Sequence, residues 1–140
     1  MTEFSRVGII GAGVMGSGLA ENCLISKIKA TVVDIDHHSL EQSKIRIMQS
    51  IRFSRMLYGQ DKYPALTKED VDENIRFTTD YQDLADSDFI IENTTEKIDV
   101  KVDVYKKLDR CIAQEIVIAA NTSCFSITRL GSLISVPARL

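Results

Sequence analysis

The sequence is poor in cysteine and has no long apolar run, and both absences limit what the chain can be. Its three cysteines, Cys23, Cys111 and Cys124, are far apart and odd in number. That spacing predicts reduced thiols in a cytosol rather than a disulfide framework or a zinc site. No apolar run approaches the roughly 20 residues that span a bilayer, and the N-terminal segment carries an acid and no basic cluster, unlike a secretory signal. We therefore expect a cytoplasmic protein without a metal site or a membrane segment.

An excess of basic residues is also absent. The formal net charge is -3 at pH 7, so no global electrostatic argument points to nucleic acid. The chain has 140 residues, of which 44% are hydrophobic and 26% are charged. These values are typical of one globular domain that is large enough to bury a core, and we treat residues 1–140 as a single domain.

Short apolar runs rich in β-branched residues alternate with segments of helical periodicity along the whole sequence. The runs predict buried strands at 6–10, 30–36, 75–79, 87–93 and 115–123. The periodic segments predict helices at 14–28, 38–59, 96–112 and 126–134, with shorter ones after Thr67 and at 80–85. This alternation predicts an α/β fold, a doubly wound parallel sheet with helices on both faces.

The sequence also predicts how the second helix is capped and which face of the helix at 96–112 is buried. Ser39 and Gln42 have the spacing of a capping box for the second helix, and Asp36, just past the second strand, is also expected to cap it. In the helix predicted at 96–112, the positions with core spacing are Ile98, Val102, Tyr105 and Leu108.

The first strand is followed by a glycine-rich turn. Ligands bind doubly wound sheets beyond the carboxyl ends of the strands, and here Gly11, Gly13 and Gly16 form G-x-G-x-x-G between a strand and a helix. The first glycine permits a tight turn, the second lets a pyrophosphate approach the backbone, and the third lets the helix lie close to the strand. The free N–H groups of the helix would face the phosphates. The sequence therefore predicts a dinucleotide site at this turn, formed by Gly11, Ala12, Gly13, Val14, Met15 and Gly16. The alternative is that the glycines serve only the packing of the strand against the helix.

The second strand ends in an acid, Asp34, about 20 residues past the glycines. A carboxylate at this point accepts hydrogen bonds from ribose hydroxyls and repels a 2′-phosphate, and no arginine follows it immediately. Asp34 therefore favours NAD over NADP as the cofactor. The alternative is that Asp34 merely caps the turn.

Three stretches together resemble the N-terminal domain of the 3-hydroxyacyl-CoA dehydrogenase family. VGIIGAGVMGSGLA is similar to its cofactor loop, TTDYQDLADSDFIIENTTEKIDVKVDVYKKLD to its strand-and-helix passage, and IAANTSCFSIT to its Asn-Thr-Ser-Ser segment. The resemblance covers essentially the whole chain. It implies a Rossmann-type NAD-binding domain of an oxidoreductase of fatty acid metabolism, which transfers hydride between C3 of a 3-hydroxyacyl thioester and NAD.

The resemblance also implies roles for individual residues. Glu96 and Lys101 match positions that line the nicotinamide-side ribose and the cofactor mouth. Asn121 and Ser123 match the polar pair at the active site, where the serine hydroxyl lies near the 3-oxygen of the substrate and the asparagine also borders the cofactor. Ser50 matches a position near the CoA moiety. From the residues alone, Glu96 and Lys101 could equally be exposed charges, and Ser123 a helix cap.

Some residues depart from the family pattern around the active site. This chain has Asn93, Thr94 and Thr95 where the family usually has small apolar residues. It also has Cys124 and Phe125 where the family usually has a serine and a leucine. The NAD site is not affected by these changes, but the substrate pocket is altered. The implied substrate is therefore either an acyl-CoA or an acyl-carrier-protein thioester.

The resemblance places the family's catalytic histidine and its glutamate partner beyond Leu140, followed by a helical C-terminal domain that forms a homodimer. His37 and His38 are expected to be exposed at a helix start and cannot replace that histidine. The sequence is thus interpreted as a domain truncated before the helical domain, able to bind NAD but inactive alone. Two alternatives are a hydride-transfer enzyme of the 3-hydroxyisobutyrate or 6-phosphogluconate type, against which the sequence NTS argues, and a non-catalytic NAD-sensing module.

Overall fold

One parallel five-stranded sheet organises the chain. The computed structural model describes residues 4–60 and 63–140. Residues 1–3 and 61–62 lie outside this description, and part of the expectation about the N-terminal segment rests on the first three. The strands are β1 (Arg6–Ile10), β2 (Lys29–Val33), β3 (Ile75–Thr78), β4 (Phe89–Glu92) and β5 (Val117–Ala120). They lie in the order β3-β2-β1-β4-β5, and all neighbouring pairs are parallel. The α/β parallel sheet predicted from the sequence is confirmed.

Helices cover both faces of this sheet. They are α1 (Val14–Ile25), α2 (His37–Tyr58), α3 (Lys68–Asn74), α4 (Ile98–Cys111) and α5 (Ile127–Gly131), with 3₁₀ turns at Tyr81–Leu84 and Pro137–Arg139. Because side chains alternate along a strand, β1 sends Ile9 into a core shared with α1, α2 and α3, and Ile10 into a second core shared with α4 and α5. The sheet is therefore doubly wound, and its strand order reverses between β1 and β4.

Several elements are shorter than the sequence pattern predicts, and local interactions explain why. Helix α1 ends at Ile25 because Lys27 adopts the left-handed region, with φ 59°. Strand β2 ends at Val33 because the chain turns at Asp34, whose carboxylate accepts backbone hydrogen bonds instead of continuing the strand. Strand β5 ends at Ala120, three residues before Ser123. Each early end leaves polar residues at the carboxyl edge of the sheet.

The capping box predicted for α2 at Ser39 and Gln42 is wrong. The cap is Asp36, whose carboxylate accepts hydrogen bonds from the backbone N–H groups of His38 and Ser39. Asp36 precedes the helix directly and has extended backbone, which is the conformation that this position requires.

Thr67 caps the short helix that the sequence predicts after it. The Thr67 hydroxyl accepts from the N–H of Asp70, and the Asp70 carboxylate accepts from the N–H of Thr67, which makes a complete capping box for α3.

The buried face of α4 differs from the expected one by one position. Tyr105 and Leu108 are buried as predicted, but Val102 is half-buried, and Lys101 and Val104 take the inner positions. A lysine was not expected in the core because an unpaired buried ammonium is costly. The structure pairs it with a buried acid, which is described below.

Candidate functional site

The glycine turn between β1 and α1 has three glycines with three different surroundings. Gly11 has φ 95°, and a Cβ there would lie 2.8 Å from the backbone oxygen of Asn93. A Cβ on Gly16 would lie 1.8 Å from the backbone oxygen of Gly11, so α1 packs directly against the turn. A Cβ on Gly13 would meet nothing within 4 Å. The space in front of Gly13 is therefore open, as a turn that receives a phosphate requires.

The first turn of α1 adds hydrogen-bond donors to this open space. Gly13 is the N-cap residue, and no side chain caps the helix in the part of the chain that the structure describes. Val14 and Met15 follow it with 75% and 61% of their surface exposed. The N–H groups of this turn are therefore accessible to an anion, which the positive end of the helix dipole also attracts.

Asp34 holds the glycine turn in place from the end of β2. Its Oδ2 accepts a hydrogen bond of 2.7 Å from the N–H of Ala12, and the N–H of Gly11 donates to the backbone oxygen of Val33. The turn is thus fixed to β2 by one side-chain and one backbone contact. From the sequence, Asp34 was expected to contact ribose, with capping of the turn as the alternative, and its contacts to backbone N–H groups are of the second kind.

A cavity of about 330 Å³ opens beside Asp34 at the carboxyl edge of the sheet. Its wall combines the glycine turn, the end of β2 and the segment after β4; among its residues are Gly11, Gly13, Asp34, Asn93, Thr94 and Thr95. The cavity therefore lies where the strand order reverses, which is the place where open α/β sheets bind their ligands.

The loops that follow β4 and β5 are joined by three hydrogen bonds. Asn121 Nδ2 donates to Asn93 Oδ1 at 2.9 Å. Thr122 Oγ1 donates to Glu96 Oε2, and the N–H of Ser123 donates to Glu96 Oε1, both at 2.9 Å. Because Asn93 also lines the cavity, these contacts bring the predicted pair Asn121 and Ser123 to its side.

Glu96 is held in its ionised form by this contact. The N–H of Ser123 lowers the pKa of the Glu96 carboxyl below its ordinary value, and the Thr122 hydroxyl and the Lys101 ammonium add to the effect. A depressed pKa means that the contact is fully formed above the ordinary value of 4.5 and is lost as the pH falls through the lower, folded-state value.

We therefore expect the amide resonance of Ser123 to titrate in an NMR pH series, with a midpoint below pH 4.5. Acidification protonates Glu96 and removes the acceptor of that N–H group. Glu96→Gln should abolish the titration, and Asp99→Asn, an acid in the first turn of α4, should leave it in place. A midpoint at or above the ordinary value would contradict the assigned contact.

The remaining site candidates lie apart from the cavity. Ser50 is half-buried on α2 and is not among the cavity's described lining residues. His37 and His38 are exposed at the start of α2, as expected, and do not line the cavity either. The glycine turn and Asp34 thus line the cavity directly, Asn121 reaches its wall through Asn93, and Ser123 is joined to the same loop through Glu96, whereas no such contact among the described residues links Ser50 to it.

Lys101, which the resemblance places at the cofactor mouth, lies in the interior. Its side chain is 0% exposed, and its Nζ lies 2.8 Å from Glu92 Oε2 and 3.1 Å from Glu92 Oε1. The carboxylate of Glu92 attracts the ammonium inward, so a direct contact with a cofactor would require this ion pair to open.

Reasoning from the sequence missed Glu92. Its signal was present, since Ile90 and Glu92 share one face of β4 while Lys101, Tyr105 and Leu108 share one face of α4. An acid and a lysine on two apolar faces that must meet predict a buried pair.

The strand order, the glycine turn and the acid after β2 define a Rossmann-type dinucleotide-binding domain. The family model described as 3-hydroxyacyl-CoA dehydrogenase, NAD binding domain, matches residues 6–140. The chain belongs to this family, as the resemblance predicted, and its cofactor is NAD.

Individual relatives carry different names. The chain is 34% identical over 134 residues to a probable 3-hydroxybutyryl-CoA dehydrogenase of Deinococcus radiodurans, an alignment that covers 96% of this chain and 47% of the relative. It is 30% identical over 138 residues to the 5-formyl-3-hydroxy-2-methylpyridine 4-carboxylate 5-dehydrogenase of Mesorhizobium japonicum, covering 96% and 42%. The crystal structure of (S)-3-hydroxybutyryl-CoA dehydrogenase from Ralstonia eutropha superposes with a TM-score of 0.86 at 31% identity, covering 98% of this chain and 47% of that one. The chain therefore spans about half the length of the relatives it matches.

Two further properties concern the described residues alone. None of their helices is both long and apolar enough to cross a membrane. Their histidines, cysteines and acids form no group of three or more that could hold a metal ion.

Proposed function

We propose that this chain is the cofactor-binding part of an NAD-dependent dehydrogenase that acts on 3-hydroxyacyl thioesters. The observation that carries the proposal is the hydrogen bond between Asn93, in the cavity wall, and Asn121, at the end of β5. This contact supports a position of Asn121, and of Ser123 two residues further on, beside the cavity that the glycine turn and Asp34 form. A binding site for a dinucleotide and a site for a second reactant then adjoin each other.

The residues around the cavity fit the proposed cofactor. The open space in front of Gly13 and the accessible N–H groups of α1 suit a pyrophosphate. Asp34 uses Oδ2 for Ala12 and retains acceptor capacity for a ribose hydroxyl. When bound, NAD supplies a nicotinamide ring that accepts or gives a hydride.

Asn121 and Ser123 are the proposed contacts to the second reactant. Both side chains are exposed at the carboxyl edge of the sheet, and a hydroxyl and an amide donate hydrogen bonds to a carbonyl or hydroxyl oxygen. The described histidines do not line the cavity, so we propose that the base that takes the hydroxyl proton lies outside these residues. Ser50 stays a proposed contact to the acyl carrier.

The relatives are named after different substrates, a CoA thioester and a pyridine carboxylate. We propose the thioester because several relatives have names of that class. The proposed carrier is CoA or an acyl carrier protein, and the proposed assembly of the longer protein is a homodimer. NADH oxidation by that longer protein with acetoacetyl-CoA and with acetoacetyl carrier protein tests the carrier. Turnover with neither, in a protein that binds NAD, would favour the non-catalytic module.

Asp34→Ala is expected to weaken NAD binding by roughly 10- to 100-fold, because the variant loses a charged acceptor for a ribose hydroxyl and the contact that holds Ala12 in the glycine turn. NADP binding should weaken less or improve, since the carboxylate that repels a 2′-phosphate is removed. Calorimetric titration of both cofactors measures the two affinities.

The neighbouring acid provides the matched control. Asp36→Ala removes the cap of α2, at a cost of about 1 kcal/mol in the free energy of unfolding, and should leave the preference for NAD unchanged. Equal or tighter NADP binding by the parent chain would overturn the assignment of Asp34.

A further inference from the structure

Glu92 is a carboxylate at the end of β4 with no exposed surface and an unusually full set of hydrogen-bond donors. It receives both contacts from Lys101 Nζ, one from the Tyr105 hydroxyl at 3.1 Å, and two from Thr94, through its N–H at 2.7 Å and its hydroxyl. A carboxylate has about four lone-pair sites, so these donors saturate it. Such a fully satisfied buried group holds its partners in one arrangement.

The same lysine faces the carboxylate that holds the Ser123 loop. Lys101 Nζ lies 3.8 Å from Glu96 Oε2, while Glu96 accepts from the N–H of Ser123 and the hydroxyl of Thr122. The backbone oxygen of Glu92 also accepts from the N–H of Asn121 at 2.9 Å. A continuous series of contacts therefore runs from Glu92 through Lys101 and Glu96 to the loop of residues 121–123.

The difference in burial between these groups indicates that the position of Glu96 depends on the pair Lys101 and Glu92. Lys101 and Glu92 have 0% exposed side chains and few alternative positions, whereas the Glu96 side chain is 34% exposed and free to turn toward solvent. A buried cation attracts a nearby carboxylate more strongly than an exposed one does, because less solvent screens the charge. The interior pair thus fixes the exposed acid, and not the reverse.

We propose that Glu92 is a positioning residue that acts through Lys101 on Glu96 and so fixes the loop of Asn121 and Ser123. The use of that loop for a reactant rests on the proposed function, but the positioning itself does not. A merely structural pair would stabilise the chain without affecting the order of the loop in the folded state.

Hydrogen–deuterium exchange of the Ser123 amide in the 140-residue chain, followed by NMR, tests the proposal. The main variant is Glu92→Gln/Lys101→Met, which keeps the volume of both side chains and leaves no unpaired buried charge. We expect the Ser123 amide to exchange about tenfold faster, as the loss of one charge-assisted hydrogen bond predicts. Glu96→Gln should increase the exchange rate by a similar factor. The triple variant, which combines all three substitutions, should exchange no faster than the double variant or Glu96→Gln.

Asp109→Asn is the control. Asp109 lies near the other end of α4, where it accepts from Ser135 and Arg139, so this variant weakens the packing of the same helix without touching the Ser123 loop. It should leave the exchange of Ser123 unchanged relative to the neighbouring amides.

Three results would overturn the proposal. They are unchanged exchange of the Ser123 amide in the double variant, equal acceleration by Asp109→Asn, and additive effects of the double variant and Glu96→Gln. Should the double variant fail to fold, Glu92→Gln/Lys101→Gln, which also leaves no unpaired buried charge, is measured in the same way, with the same prediction. Titration of the parent chain with NAD distinguishes failure of the positioning proposal from failure of the proposed function. If NAD did not bind, the proposed function would be contradicted, whereas the exchange result on Glu92 would still hold.

Discussion

Gly13→Val is expected to weaken NAD binding at least about 100-fold in a chain that still folds. The backbone of Gly13 is extended, with φ -69° and ψ -166°, which valine also adopts, and a Cβ there would meet nothing within 4 Å. The valine methyl groups would instead occupy the space in front of the first turn of α1. Losing two charge-assisted hydrogen bonds from that turn to a phosphate accounts for the factor. Calorimetric titration gives the affinity, and circular dichroism shows the fold.

Two neighbouring glycines sharpen this experiment. Gly16→Ala should destabilise the chain by about 3 kcal/mol or more, because its Cβ would lie 1.8 Å from the backbone oxygen of Gly11, which has no room to move. Gly18→Ala, in the same helix and without a neighbour within 4 Å, should stabilise it by about 0.5–1 kcal/mol and leave the affinity unchanged. Retained NAD affinity in folded Gly13→Val would show that the turn is not the phosphate site.

Lys101→Met is expected to lower the free energy of unfolding by about 3–5 kcal/mol, because it leaves the buried carboxylate of Glu92 without its cation. Urea denaturation measures the loss. The double variant Glu92→Gln/Lys101→Met removes both charges and should recover most of the stability, to within about 1–2 kcal/mol of the parent.

The same helix offers a matched surface control. Lys107 pairs with Asp103 at 2.7 Å, but both side chains are exposed. Lys107→Met should therefore cost less than about 1 kcal/mol. If Lys101→Met costs no more than Lys107→Met, the buried pair contributes nothing beyond what a surface pair does, and the interior assignment of Lys101 is wrong.

The elements of the fold were accessible from the sequence because each depends on local pattern. Strand β1 has the predicted bounds, β3, β4 and β5 lie within the predicted runs, and β2 begins one residue before its predicted run. The glycine turn was predictable as well, since Gly11, Gly13 and Gly16 follow a strand at a spacing with a known steric purpose. Predicted elements were too long where a side chain diverted the backbone, as Asp34 does at the end of β2.

The tertiary structure decided where charged and polar side chains point. Glu96 and Lys101 both read as first-turn charges of α4 in the sequence, yet one lies at the surface against Ser123 and the other is buried against Glu92. Which of the two side chains is buried depends on which face of α4 packs against β4. Residue type and spacing along the helix do not decide that. By itself the sequence determined the α/β alternation and located the glycine turn and the acid after β2, because these require only spacing and residue type. The joining of the β4 and β5 loops required the packed sheet, since only parallel strands that end at one edge bring Asn93 to Asn121.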